Sequence, residues 1–449
     1  MRRKRLVQCL VLVLITAFVG LLILNTVLSH DTDKNKNYLI SDAMEHGVIT
    51  DGEAQSSNEP NNSTVPTEVV KPTLAPKPTE IVQPTLTPGP TANITSTELP
   101  SPTASEDTKE VKELKLIAVG DNLIHTQVIK SGQKKNGTYN YDHLFENIKP
   151  DIEAADIAVI NQETILGGKA IGYSGYPRFN SPTEIGDAIV KAGFNVVQHA
   201  TNHAMDKGEE GLQKTIDYWK KQKSIAVLGV HETKEEQDRI TIIEKNGIKI
   251  AMLNYTYSLN GLPLPSNRNY MVDMLDEEKV RQDIKRAREE ADFVIVFPHW
   301  GTEYVFTATK MQRRWTRLFS ELGVDLVVGT HPHVIEPVEW IKRDDGHKML
   351  VYYSLGNYVS AQAEYPRMLG GMAEVTIEKR EGQRAHIKDA SFTPLVTHYT
   401  KSYEGYGVYK LSEYTDELAE NHGLASKGLT KEAFTKLSKE VLSNWYRKE

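Results

Sequence analysis

The sequence predicts an α/β fold, either two sheets sandwiched between helices or one doubly wound sheet. Two observations carry this. Short apolar runs that read as buried strands alternate with segments of helical periodicity. Six of those runs are followed at once by carboxylate, amide or imidazole residues, and ligands of α/β sheets sit beyond the carboxyl ends of the strands.

Taken in order, strands are expected at Leu114–Val119, Ile157–Ile160, Asn195–Gln198, Phe293–Phe297, Leu326–Val328 and Leu350–Tyr353. Between Ile240 and Leu253, two β-rich runs flank Lys245-Asn246-Gly247, a hairpin signal. Met372 to Val396 is again β-rich. Helices are expected in between. Ser181 with Glu184 makes a capping-box signature ahead of Ile185, Ala188, Ile189 and Ala192. Gly208 to Lys221 and Glu277 to Glu290 follow, then Gln312 to Leu322, with Trp315, Leu318, Phe319 and Leu322 on one face and Gly323 at its end. The last forty residues have a helical pattern.

The ends of the chain set the context. Arg2, Arg3, Lys4 and Arg5 precede an uncharged, mostly apolar run from Leu6 to Leu28, which as a helix spans roughly 35 Å, enough for a bilayer. Residues 1–30 are therefore expected to be an uncleaved signal-anchor, with the basic flank cytoplasmic and the rest extracytoplasmic. The only cysteine, Cys9, lies in this run, so the exported part has no thiol or cysteine ligand. Residues 31–108 are rich in proline and threonine, with half of the chain's 20 prolines between Pro60 and Pro102. Such a segment has little to bury and is expected to be a disordered, semi-stiff tether. The globular part is expected over 109–400, with a helical extension over 401–449. A net charge of −7 without a basic stripe argues against nucleic acid as a partner.

The strand-end residues are Asp121 and Asn122; Asn161, Gln162 and Glu163; His199, Asn202 and His203; His299; His331 and His333; and Asn357. One such residue is ordinarily structural; six strand ends together are hard to explain by packing. His331 and His333 are two apart, so on extended backbone both rings would point to one side and could hold one ion, or two.

The stretches GDNLIH, NQE, YPRFNSP…AGFNVV leading to ATNHAMDKGEEGL, HWGTEY, a Gln312 helix leading to GVDLVVGTHPHVIEPVE, and YYSLGNYV occur in the order found in the capsule-biosynthesis CapA family. From Leu114 to Pro394 the chain resembles this family, also called the poly-γ-glutamate biosynthesis type, of the calcineurin-like metallophosphatase superfamily. The resemblance implies a four-layer α/β/β/α sandwich with a metal centre at the strand ends. It implies metal ligation by Asp121, Asn202, His299, His331 and His333, with Glu163 as the candidate bridging carboxylate and His203 as general acid or transition-state stabiliser. Two departures from the superfamily stand out: Leu123 occupies the usual position of a histidine, with His125 two residues further on, and Asn161-Gln162-Glu163 replaces the usual bridging aspartate motif. The donor set suits Mn, Zn or Fe, more weakly Mg, as one or two ions.

Asp206 either orients the His203 ring or caps the following helix. Glu303 and Arg178 are candidate substrate-binding residues. Trp300 and Tyr304 are expected to pack the site wall, and Asn357 to be a structural hydrogen-bonder. The function expected is a membrane-anchored, extracytoplasmic, metal-dependent hydrolase or transferase of phosphoester or amide bonds. Its substrate is a cell-envelope polymer or precursor, and its partners are membrane-embedded synthesis and export proteins. The alternative is a non-catalytic scaffold of a polymer export complex with a structural metal.

Overall fold

A computed structural model describes residues 111–446. The expected signal-anchor and tether lie outside the described residues. Among those described, no helix is long and apolar enough to cross a membrane.

Strands β1 (Val111–Asn122), β2 (Ile157–Asn161), β3 (Val196–Gln198) and β4 (Ala226–Leu228) are joined by helical segments. Next come β5 (Thr241–Lys245), β6 (Ile248–Thr256), β7 (Phe293–His299), β8 (Leu326–Val328), β9 (Val338–Lys342) and β10 (Lys348–Tyr352). The last are β11 (Asn357–Val359), β12 (Leu369–Arg380), β13 (His386–His398) and β14 (Gly407–Lys410). They make two mixed sheets, so the doubly wound alternative falls away. The first has the order β14-β13-β12-β1-β2-β3-β4, with β11 pairing beside β1; the second has the order β5-β6-β7-β8-β10-β9. β1 to β4 are mutually parallel, as are β6, β7, β8 and β10. Their carboxyl ends therefore gather polar loops on one edge of each sheet.

The central strands β6, β7, β8 and β10 of the second sheet are buried on both faces, which is why they read as continuous apolar runs, whereas the edge strands β5 and β9 are partly exposed. Ile250, Met252, Phe293, Ile295 and Phe297 join the core shared with the first sheet. The alternating Ala251, Leu253, Val294 and Val296 pack with Val280, Ile284 and Phe319 of the helices Glu277–Glu290 and Lys310–Glu321. The β5–β6 hairpin turns at Asn246 and Gly247, with φ of +51° and +72°, the conformation such a two-residue turn requires.

Two helix starts differ from expectation. The Ser181–Glu184 capping box does not form: the helix is Glu184–Ala192, Thr183 stands at its N-cap, and the Ser181 hydroxyl is spent on Thr164 at 2.8 Å. The helix expected from Gln312 begins at Lys310, because Thr309 and Gln312 make the reciprocal capping box. Residues 401–446, expected as a helical extension, also carry β14 and contribute Tyr406, Tyr414, Phe434 and Leu442 to the larger core.

Candidate metal centre

β1 delivers Asp121. A Cβ on Gly120 would lie 1.9 Å from the Gly356 carbonyl oxygen, so only glycine lets the two segments approach while the Asp121 N–H donates to that oxygen at 2.9 Å. The Asp121 carboxylate accepts from Asn161 Nδ2 at 2.8 Å and from the His331 N–H at 3.2 Å, and faces His333 Nδ1 at 3.1 Å.

β2 delivers Glu163. Gln162 turns away, bonded to Asn122 at 2.7 Å and to the Thr164 carbonyl at 2.7 Å. Glu163 is fully buried and neither carboxylate oxygen has a hydrogen-bond partner. Around it stand His299 Nε2 and His333 Nε2, each at 3.7 Å, and His203 Nε2 at 4.0 Å. Burial pushes the Glu163 carboxyl well above its ordinary range; His333 opposes this, while Asp121, Glu303 and Asp206 add to it. An uncompensated buried carboxylate costs several kcal/mol. A cation among these donors removes that cost.

The loop after β3 delivers Asn202 and His203. Asn254 of β6 accepts the N–H groups of His199 and Ala200 at 3.2 and 2.8 Å and donates to the Phe297 carbonyl at 2.8 Å, pinning this loop to the second sheet. Asn202 Oδ1 lies 3.0 Å from His299 Nε2. His203 Nδ1 lies 2.8 Å from Asp206 Oδ2, which also accepts the Phe179 N–H at 2.6 Å. Lys207, not Asp206, stands at the N-cap of the helix Gly208–Trp219. His199 sits apart from the cluster, accepting the Trp219 indole N–H at 2.6 Å, and burial pushes its pKa down to about 3.

β7 and β8 supply the imidazoles. His299 Nδ1 meets Thr330 Oγ1 at 3.0 Å. Trp300 does not wall the site. It points into the helix-covered core beside Phe319 and donates to the Tyr353 carbonyl at 2.9 Å. Tyr304 is half-exposed, its ring 6.1 Å from His333, with the Arg367 guanidinium 3.5 Å above it.

The expectation that extended backbone aligns His331 and His333 is also corrected. Both adopt positive φ, +100° and +58°, a conformation costly for residues other than glycine and typical of functional loops. Their rings nevertheless come within 5.7 Å. Neither ring nitrogen of the buried His331 has a partner. His333 Nδ1 lies 3.1 Å from Asp121 Oδ2 and 3.1 Å from Asn357 Oδ1. Burial and neighbouring imidazoles push His299 and His331 well below the usual histidine range. Burial also works against a charge on His333, but Glu163 and Asp121 prevail and raise it to about 9.

Among the described residues, three sets of donor atoms lie within 4.8 Å of one another: Asp121, Glu163 and His333; Glu163, His299 and His331; and Glu303, His331 and His333. Unpartnered carboxylate oxygens facing imidazoles fit a divalent cation of borderline character. His125 belongs to none of these sets; its Nδ1 lies 3.3 Å from the Ala361 N–H, and burial holds its pKa down at about 4. Arg178 is exposed and lines a cleft with Met205, Asp206 and Lys207.

Sequence reasoning missed four supports: Asn254, Thr330, Tyr257 (its ring 4.8 Å from His331) and the buried pair in which Gln312 Nε2 donates to Glu336 Oε2 at 2.6 Å. Glu336 carried a visible signal, a carboxylate inside the apolar run after His333.

Residues 115–362 match a family model described as bacterial capsule synthesis protein PGA_cap. The chain is 30% identical over 247 residues to the PGA biosynthesis protein CapA of Bacillus subtilis (strain 168), covering 54% of this chain and 62% of that one. It is 25% identical over 262 residues to the capsule biosynthesis protein CapA of Bacillus anthracis, covering 57% and 61%. It thus spans about three fifths of the length of these curated relatives. Among solved structures, it is similar to the NAD nucleotidase of Haemophilus influenzae, with a TM-score of 0.41, 14% identity, and 74% and 68% of the two chains covered.

Proposed function

The chain belongs to the bacterial capsule synthesis family PGA_cap, and on that premise we propose that it is a metal-dependent hydrolase or transferase serving capsule or poly-γ-glutamate synthesis and export. Its substrate is a cell-envelope polymer or precursor with phosphoester or amide bonds. It works outside the cytoplasmic membrane, anchored by Leu6 to Leu28 and beside membrane-embedded synthesis and export proteins.

The observation that carries this reading is the His203–Asp206 pair beside an unpartnered carboxylate. Asp121, Glu163, Asn202, His299, His331 and His333 would hold one or two ions of Mn, Zn or Fe. A bound ion would supply Lewis-acid chemistry there. Asp206 holds Nδ1 of His203, which leaves Nε2 to hand a proton to a leaving group. Glu303 and Tyr304, exposed beside the histidines, and Arg178 in the neighbouring cleft are placed to meet substrate.

The near-complete burial of the cluster also suits a structural ion in a scaffold subunit. The two readings separate in one experiment. The full chain, loaded in turn with Mn, Zn and Fe, is offered phosphomonoesters, phosphodiesters and γ-glutamyl amides, beside His203→Gln. Hydrolase action requires turnover of one class, reduced about 100-fold or more in the variant at unchanged metal content. A loaded protein that turns over none of them leaves the scaffold reading.

A further inference from the structure

The donor sets are not equally reachable. Glu163 is fully buried, whereas Glu303 is exposed, and both face His331 and His333. The position of Glu303 is built, not incidental. Gly301 turns with φ +101°, and the N–H of Tyr304 donates to the carbonyl of Pro332, the residue between the two histidines, at 2.8 Å. His331, 1% exposed, has both ring nitrogens unpartnered.

We propose that Glu303, His331 and His333 form an outer cation position through which a divalent ion enters and leaves the buried positions. The ion is captured at Glu303 and passes inward by exchanging Glu303 for Glu163 while an imidazole stays bound. An ion entering a buried site in one step must shed its hydration shell before a carboxylate compensates it. An exposed carboxylate sharing the same imidazoles divides that desolvation into two smaller steps. The inference rests on the metal-binding part of the proposed function, not on hydrolysis.

The test is zinc uptake by the full-chain protein, followed with a zinc-sensitive dye, and zinc release into excess chelator. Glu303→Gln is compared with the parent and with Glu381→Gln. Glu381 follows Arg380, which pairs with Val111 at the end of β1 remote from Asp121, so this variant controls for net charge alone. Glu303→Gln is expected to slow uptake and release alike by about tenfold, the low end of what local charge does to association rates. Its final zinc content should equal the parent's, and Glu381→Gln should behave as the parent. Unchanged rates in Glu303→Gln overturn the proposal. So does the loss of an equivalent of zinc at equilibrium, which would make Glu303 a resident ligand. A parent that takes up no zinc removes this inference and the metal-dependent reading together. Slowed kinetics in a protein that hydrolyses nothing would leave the inference standing while the catalytic reading falls.

Discussion

Oδ2 of Asp206 holds two groups at once, the Nδ1 of His203 at 2.8 Å and the Phe179 N–H at 2.6 Å. The second bond fixes the carboxylate, so the carboxylate fixes the ring and directs its Nε2 toward Glu163. Asp206→Asn keeps the volume but removes the charge. We expect turnover to fall about 10- to 100-fold with little change in KM and none in metal content. Steady-state kinetics with elemental mass spectrometry checks this; loss of the ion in the variant would show Asp206 acting on the site's integrity instead.

Metal binding should release protons. In the metal-free protein, Glu163 and Asp121 hold the pKa of His333 at about 9, and a histidine ligand must be neutral. Below that pH the ion displaces a proton, so affinity should rise from pH 7 to pH 9 and level off above. Calorimetry in two buffers of different ionisation enthalpy should report about one proton or more per ion at pH 7. Identical heats in both buffers would contradict this.

Glu336 makes the fold sensitive to alkali. Burial raises its carboxyl to about 8, with the Gln312 bond opposing. A folded-state pKa above the unfolded value means that the folded form binds more protons. The stabilisation is whole below the unfolded pKa of about 4.3 and is lost as pH rises through about 8. Glu336→Gln does not titrate, so its stability relative to the parent should improve between pH 5 and pH 9, on the order of 3 kcal/mol. Urea unfolding at the two pH values measures the difference, and an equal gap at both would refute the assignment.

Gly120→Ala should be severe for its size. The added methyl would meet the Gly356 carbonyl at 1.9 Å, and backbone on both sides must move. The expected cost is about 3 kcal/mol or more, with loss of the ion as Asp121 shifts. Thermal unfolding and metal analysis give the readouts; a Tm within a degree of the parent's would mean the segments can separate freely.

The strand-end residues were legible because a strand terminus is a local feature: an apolar run stops and polar side chains follow. Asp121, Glu163, Asn202, His299, His331 and His333 are brought together accordingly. The convergence of His331 and His333 was expected from extended backbone, but arises from two left-handed residues around Pro332, which no spacing rule encodes. Trp300 was misplaced although alternation beyond His299 at the end of β7 sends it to the opposite face. Asn254 and Thr330 were illegible for a different reason. Their work depends on which strands of the two sheets face one another, a relation without local signature. Ser181 shows the converse, a sound capping pattern overridden when its hydroxyl met Thr164 in the interior.

The donors divide by origin. Strand ends and loops of the first sheet bring the oxygens of Asp121, Glu163 and Asn202, and those of the second bring the nitrogens of His299, His331 and His333. The second sheet also carries the outer set of Glu303, His331 and His333, but the buried sets that include Glu163 draw oxygens from one sheet and imidazoles from the other. Any metal preference of these buried sets would therefore depend on how the sheets dock. A slide of one against the other by about an ångström would change the mixture of atoms in reach, and would retune which element is chosen before it abolished binding.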